Sequence, residues 1–151
     1  MIEYFQSLLP YTTPQGGKLP YWLLFISIVS IFNSYQTYQS KDLQLTKRVY
    51  ENESSPSQPS QPQVTHLSAR TFGTWTLITS IVRFYGAYNV TNKAVYELVQ
   101  FTYLVAGWHF FSEWLIYKTC KLGKGLAGPL IVASVSSIWM YLQKDFYLGS
   151  A

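Results

Sequence analysis

Residues 107–117 read GWHFFSEWLIY and place His109 and Glu113 four positions apart in an otherwise apolar run. On a helix both side chains project from one side. Such a pair suits three chemistries: proton transfer to a greasy substrate, metal ligation, or hydrogen bonding that joins helices. Ligation is the poorest fit, because the chain offers only His66 and Cys120 besides His109, and membrane non-haem iron chemistry draws on several histidines. Proton transfer would make the chain a cofactor-free isomerase, with His109 and Glu113 giving and taking protons as a double bond moves. The third reading needs no further residues: a neutral histidine bonded to a neighbouring helix and a glutamate paired near an interface.

The elements that carry this pair are apolar. Of 151 residues, 48% are hydrophobic and 12% charged, the latter about half the usual share. Aromatics reach 18%, with 13 Tyr and 5 Trp, the excess expected where side chains sit at a membrane interface. A lone Cys120 excludes an internal disulfide framework. A net charge of +4, scattered along the chain, argues against nucleic acid as a partner. Four apolar runs, 21–38, 71–88, 95–117 and 126–142, are each long enough at about 1.5 Å per residue to cross most of a hydrocarbon layer of about 30 Å. The expectation is an all-α integral membrane protein, a four-transmembrane-helix bundle in one membrane domain over 1–151. Residues 1–19 lack the order of features of a signal peptide, so the first span should be retained. The Pro/Ser/Gln-rich stretch 51–63 reads as a flexible loop.

Lys and Arg collect in two connections, with Lys41, Lys47, Arg48 and Arg70 in the first and Lys118, Lys121 and Lys124 in the third. Those connections should be cytosolic and both termini luminal. Single-sided stripes of small and hydroxyl residues mark the packing faces: Ser27, Ser30, Ser34 and Thr37; Gly73, Thr76, Ser80, Arg83 and Ala87; Thr102, Ala106, His109 and Glu113; Ala133, Ser137 and Tyr141. Folding the second and third spans about Thr91 sets Arg83 level with Glu97 to Gln100, and Glu113 level with Arg70. Two structural ion pairs are therefore expected, because an unpaired charge in the bilayer is costly. Trp108 and Trp114 should add interface contacts. GKGLAG, residues 123–128, lacks the strand that a nucleotide-binding loop requires and reads as a tight turn into Pro129.

Three stretches also carry a resemblance. HLSARTFGTWTLITSIVRFYGA at 66–87, HFFSEWLIYKTCKLGKGLAGPLIVAS at 109–134 and PYWLLFISIVSIFNSYQTY at 20–38 resemble fungal members of the ergosterol biosynthesis protein twenty-eight family. The resemblance implies a non-enzymatic scaffold in the endoplasmic reticulum membrane, without cofactor or catalytic motif. Its implied partners are the enzymes of sterol C-4 demethylation: the sterol C-4 methyl oxidase, the 3β-hydroxysteroid dehydrogenase/decarboxylase and the 3-keto sterol reductase. A sterol C-24 methyltransferase is a further implied associate, and homodimerisation is left open. The alternatives from other classes are a sterol isomerase using His109 and Glu113, and a small membrane transporter. On the scaffold reading Arg70, Arg83, Glu97, Trp108, His109, Glu113 and Trp114 join helices or bind partners.

Overall fold

Thr65 and Asn92 are side chains suited to satisfying the free amides at a helix start, and each stands where a long helix begins. Thr65 accepts from the Ser68 amide at 3.1 Å while Ser68 Oγ takes the Thr65 amide at 2.8 Å, a reciprocal cap with serine in the place of the usual glutamate. Asn92 Oδ1 accepts from the Val95 amide at 3.1 Å. In this computed structural model the residues described are 1–11, 16–41, 43–50 and 62–149. They form seven helices and no strand: α1 Ile2–Leu8, α2 Leu19–Gln39, α3 Gln44–Tyr50, α4 His66–Tyr88, α5 Lys93–Leu115, α6 Lys124–Leu142 and α7 Lys144–Leu148. The protein is all-α. Most of the expected loop 51–63 lies outside the described residues.

The long helices pack in series, α2 on α4, α4 on α5 and α5 on α6. Small residues set the closest approaches. A Cβ at Gly73 would overlap Thr37 Oγ1 of α2, and one at Gly86 would overlap Val99 of α5. Ser27, Ser34 and Thr37 are buried in α2, as are Thr76, Ser80, Arg83 and Ala87 in α4. Most of their hydroxyls back-bond to carbonyls one turn earlier, such as Ser27 to Leu23 at 2.6 Å and Ser80 to Thr76 at 2.6 Å. At the end where the chain terminates, Tyr147 of α7 accepts from the Leu19 amide at 3.0 Å, which satisfies an amide left free by the start of α2. At the other end α3 lies against α6, so that Lys47 and Arg48 share one end of the bundle with Lys121 and Lys124.

Two expectations need correction. On α6 the buried stripe is Leu126, Leu130, Ala133, Ser136 and Met140, whereas Tyr141 is 74% exposed. One residue of phase rotates the helix by about 100°, and Ser136 rather than Ser137 receives Trp22 Nε1, at 2.9 Å. The segment GKGLAG is no turn: α6 is already helical from Lys124, with Pro129 inside it. Gly125 belongs to a close approach, because a Cβ there would overlap the Arg48 carbonyl. By length and composition, α6 is the one helix among the described residues long and apolar enough to cross a membrane. The others have the length, with 21 residues in α2 and 23 each in α4 and α5, but more Ser, Thr, Tyr, Asn and Gln.

Candidate functional site

Helix α3 brings the decisive group to His109. Thr46 and Val49 are its buried positions, and Tyr50, next in the same stripe, reaches across so that its hydroxyl meets His109 Nε2 at 2.7 Å. Burial, reinforced by Cys120 and the Glu113 carboxylate, pushes the Tyr50 phenol well above its ordinary range. The phenol keeps its proton, and the hydroxyl and Nε2 share one hydrogen bond whose direction follows the imidazole tautomer. Aromatic edges enclose the imidazole, with Phe110 at 5.1 Å, Trp75 at 5.5 Å and Tyr50 at 5.7 Å between ring centroids. One turn farther along α5, Glu113 Oε2 accepts from Thr119 Oγ1. The Glu113 carbonyl also takes the Thr119 amide at 2.9 Å and the Cys120 amide at 3.3 Å, which folds residues 116–120 back over the end of α5. Gln63, with its amide nitrogen turned inward, donates to the Tyr50 carbonyl at 2.6 Å and the Thr119 carbonyl at 3.3 Å. Cys120 is buried beside them, its thiol pushed up to about 11 by burial.

These groups border a cleft of about 500 Å³. One wall is aromatic, Phe72 and Trp75; the other carries His109, Glu113, Tyr50 and Thr119. Such a cleft can take an amphipathic molecule or a partner's side chain, apolar on one side and hydrogen-bonded on the other. Among the residues singled out from sequence, His109 and Glu113 meet here. Trp114 is partly buried against the apolar cluster behind the cleft, and Trp108 is 68% exposed.

Neither expected ion pair forms. Arg70 is exposed, and Glu113 binds Thr119 instead. Glu97 pairs with Lys144 at 2.9 Å. Arg83 turns to Thr102, donating from Nε to Oγ1 at 3.0 Å and from Nη2 to the carbonyl at 3.3 Å, with its guanidinium 4.0 Å from the Tyr103 ring centre. Depth-matching about Thr91 misassigned both pairs for one reason. It weighed only charges on two helices, whereas Glu113 and Glu97 take partners outside them, Thr119 and Lys144, and Arg83 takes a neutral hydroxyl and a ring of α5 itself. Tyr50, Gln63 and Thr119 were missed, and Thr102 was placed on a packing face without its bond to Arg83, because neutral hydrogen-bonding residues carry no charge pattern. Only the helical spacing of Thr46, Val49 and Tyr50 could have signalled α3.

Residues 19–138 match the family model described as "Erg28 like protein". The chain belongs to the Erg28 family. The match covers α2 and α4–α5 entire and most of α6, and so includes every residue of the His109 cleft. Ergosterol biosynthetic protein 28 of Candida albicans is 69% identical over 149 residues, 99% of this chain and all of that protein. The protein of the same name from Saccharomyces cerevisiae is 55% identical over 135 residues, covering 89% of this chain and 86% of its own length. The human homologue is 34% identical over 119 residues, 79% of each chain. No solved structure matches. Membership in the Erg28 family supports a role in ergosterol biosynthesis.

Proposed function

We propose that this Erg28 family member is a non-catalytic scaffold of the endoplasmic reticulum membrane that holds together the enzymes of sterol C-4 demethylation. The carrying observation is that the ionisable groups of the site are spent on joining segments: His109 to Tyr50 of α3, and Glu113 to Thr119 of the α5–α6 connection. A second feature supports the membrane setting. The helices pack through hydroxyl and small residues while large apolar side chains face outward, among them Phe25 and Phe32 on α2, Ile78 on α4, Phe101 and Val105 on α5, and Ile131 on α6, the distribution expected where lipid replaces water. On this reading α2, α4, α5 and α6 each span the bilayer. The basic end, with α3 and Lys121, is cytosolic and both termini are luminal.

The partners are the sterol C-4 methyl oxidase, the 3β-hydroxysteroid dehydrogenase/decarboxylase and the 3-keto sterol reductase, with a sterol C-24 methyltransferase associated. Tethering raises the effective concentration of consecutive enzymes, so poorly soluble intermediates pass on before they diffuse away. Affinity purification of the full chain from gently solubilised membranes should recover the oxidase, dehydrogenase and reductase together. Recovery of none of them would sink the proposal. The cleft beside His109 and Glu113 favours one second reading, a sterol isomerase. Glu113→Gln decides between them, because it keeps the shape and removes the proton: a scaffold leaves sterol profiles unchanged, whereas an isomerase loses about two to four orders of magnitude in rate.

A further inference from the structure

Arg83 is the most deeply buried cation among the described residues, 5% exposed, and among those residues no carboxylate lies within ion-pairing distance of it. Its Nε and Nη2 are engaged by Thr102 and its face by Tyr103, while Nη1 makes no hydrogen bond among the described residues. Neutral partners do not offset the cost of burying a full charge, so a cation held this way is half of an interaction. Arg83 borders a second cleft, of about 370 Å³, between α2, α4, α5 and α6. The other lining is chiefly apolar, including Phe72, Trp75, Val132 and Ala133. Thr76 lines it as well, and its Oγ1 is buried without a hydrogen-bond partner. An unpaired guanidinium and an unpaired hydroxyl on one helix, seven residues and about 10 Å apart, border one apolar cleft.

We propose that this cleft binds an apolar molecule bearing a single carboxylate, with the carboxylate on Arg83 and the body against the aromatic and aliphatic walls. The guanidinium fork matches a planar carboxylate bidentately, and the largely apolar lining favours a singly charged acid with an apolar body over small hydrated anions. Thr76 adds a weaker contact to a second oxygen of the ligand, or to a water that travels with it. The site shares Phe72 and Trp75 with the His109 cleft but none of its hydrogen-bonding groups, and its carboxylate chemistry stands without the tethering reading. Only the ring skeleton of one probe below is chosen from the sterol role of the family.

The test is equilibrium binding to the full chain in detergent micelles, using a radiolabelled steroid carboxylic acid and palmitate, each beside its methyl ester. Saturable binding of either acid, at least tenfold tighter than its ester, is expected. Arg83→Gln should weaken acid binding about 10- to 100-fold, the worth of a charged hydrogen bond, with Arg83→Lys between the two. Thr76→Val should weaken it about threefold. Gly128 also lines the cleft, and a Cβ there meets nothing within 4 Å, so Gly128→Leu starts without a backbone clash and should weaken binding at least about tenfold by narrowing the cleft, with an unchanged melting temperature as its folding control. Equal binding of acid and ester, or acid binding unchanged in both Arg83→Gln and Gly128→Leu, overturns the proposal. So does displacement of the acid by phosphatidylglycerol at equal concentration, which would make the anion a lipid headgroup.

Discussion

The two clefts treat their ionisable groups in opposite ways. Around His109 each polar group is met by another from a different segment: imidazole by phenol, carboxylate by threonine, and the carbonyls of Tyr50 and Thr119 by one glutamine amide. Around Arg83 a full charge is held by a threonine and a ring, and a nearby hydroxyl has no partner. A closed network of hydrogen bonds between segments fixes one arrangement of them and asks nothing of the outside. An open one stores an unmet interaction. The first pattern belongs to assembly of the fold, and the second to something the fold receives.

Gly125→Val should break the closed side most severely. The side chain would run into the Arg48 backbone, which cannot rotate away as a flexible side chain could, so α3 must lift from α6 and carry Tyr50 off His109. A loss of about 3 kcal/mol is expected, the upper end for overpacking, read as a lowered melting temperature in detergent. A melting temperature within experimental error of the parent would show that α3 is not clamped there.

The open side gives a change of opposite sign. Arg83→Leu removes a buried charge that has no anion beside it among the described residues, and the Thr102 hydroxyl it releases still bonds the Val99 carbonyl at 2.7 Å. No charge is stranded, so stability should rise by about 1–2 kcal/mol, as when buried ionic groups are replaced by well-packed apolar ones. Destabilisation by a similar amount would mean that Arg83 has a partner within the protein and that the two clefts do not differ in kind.

Much of this contrast lies beyond what the sequence could supply. Hydroxyl spacing on α2 and α4 located buried faces, because small polar residues at helical intervals have few uses in an apolar run. On α6 the same logic chose Ser137 and Tyr141 over Ser136 and Met140, because two adjacent serines make the phase ambiguous. His109 and Glu113 stood out as charges, and the cleft contains both. Their partners did not, since a tyrosine or threonine looks alike whether it faces water, lipid or an imidazole. The absence of an anion beside Arg83 was the least legible feature of all: charge balance along two helices suggested Glu97, and only the placement of Lys144 shows that Glu97 is already engaged.

Tyr50→Phe is a finer test of the closed side. It keeps the ring against Phe72 and His109, 5.4 and 5.7 Å away between centroids, and deletes one hydrogen bond. The expected loss is about 1 kcal/mol, the usual net worth of such a bond with a modest penalty for the imidazole left behind. Tyr50→Phe combined with His109→Phe should then cost no more than His109→Phe alone, since the bond can be lost only once. Additive losses would mean that the two residues act separately.

The smallest effect is expected from the pair that charge alone would rank highest. Lys144 and Glu97 are joined at 2.9 Å, but each side chain is 37% exposed, and the bond ties α5 to the start of α7 at the rim. Lys93 stands four residues before Glu97 on α5, so the carboxylate keeps a cation nearby when Lys144 is removed. An exposed pair gains little over its hydrated state and loses side-chain freedom on forming. Glu97→Gln, Lys144→Met and the double variant should therefore give a coupling of about 0.2–0.5 kcal/mol, measured by thermal unfolding at low salt and fading at high salt as the charges are screened. A coupling several times larger and insensitive to salt would place the pair out of reach of water. It would then be the rim, and not the hydrogen-bond network around His109, that holds the long helices in register.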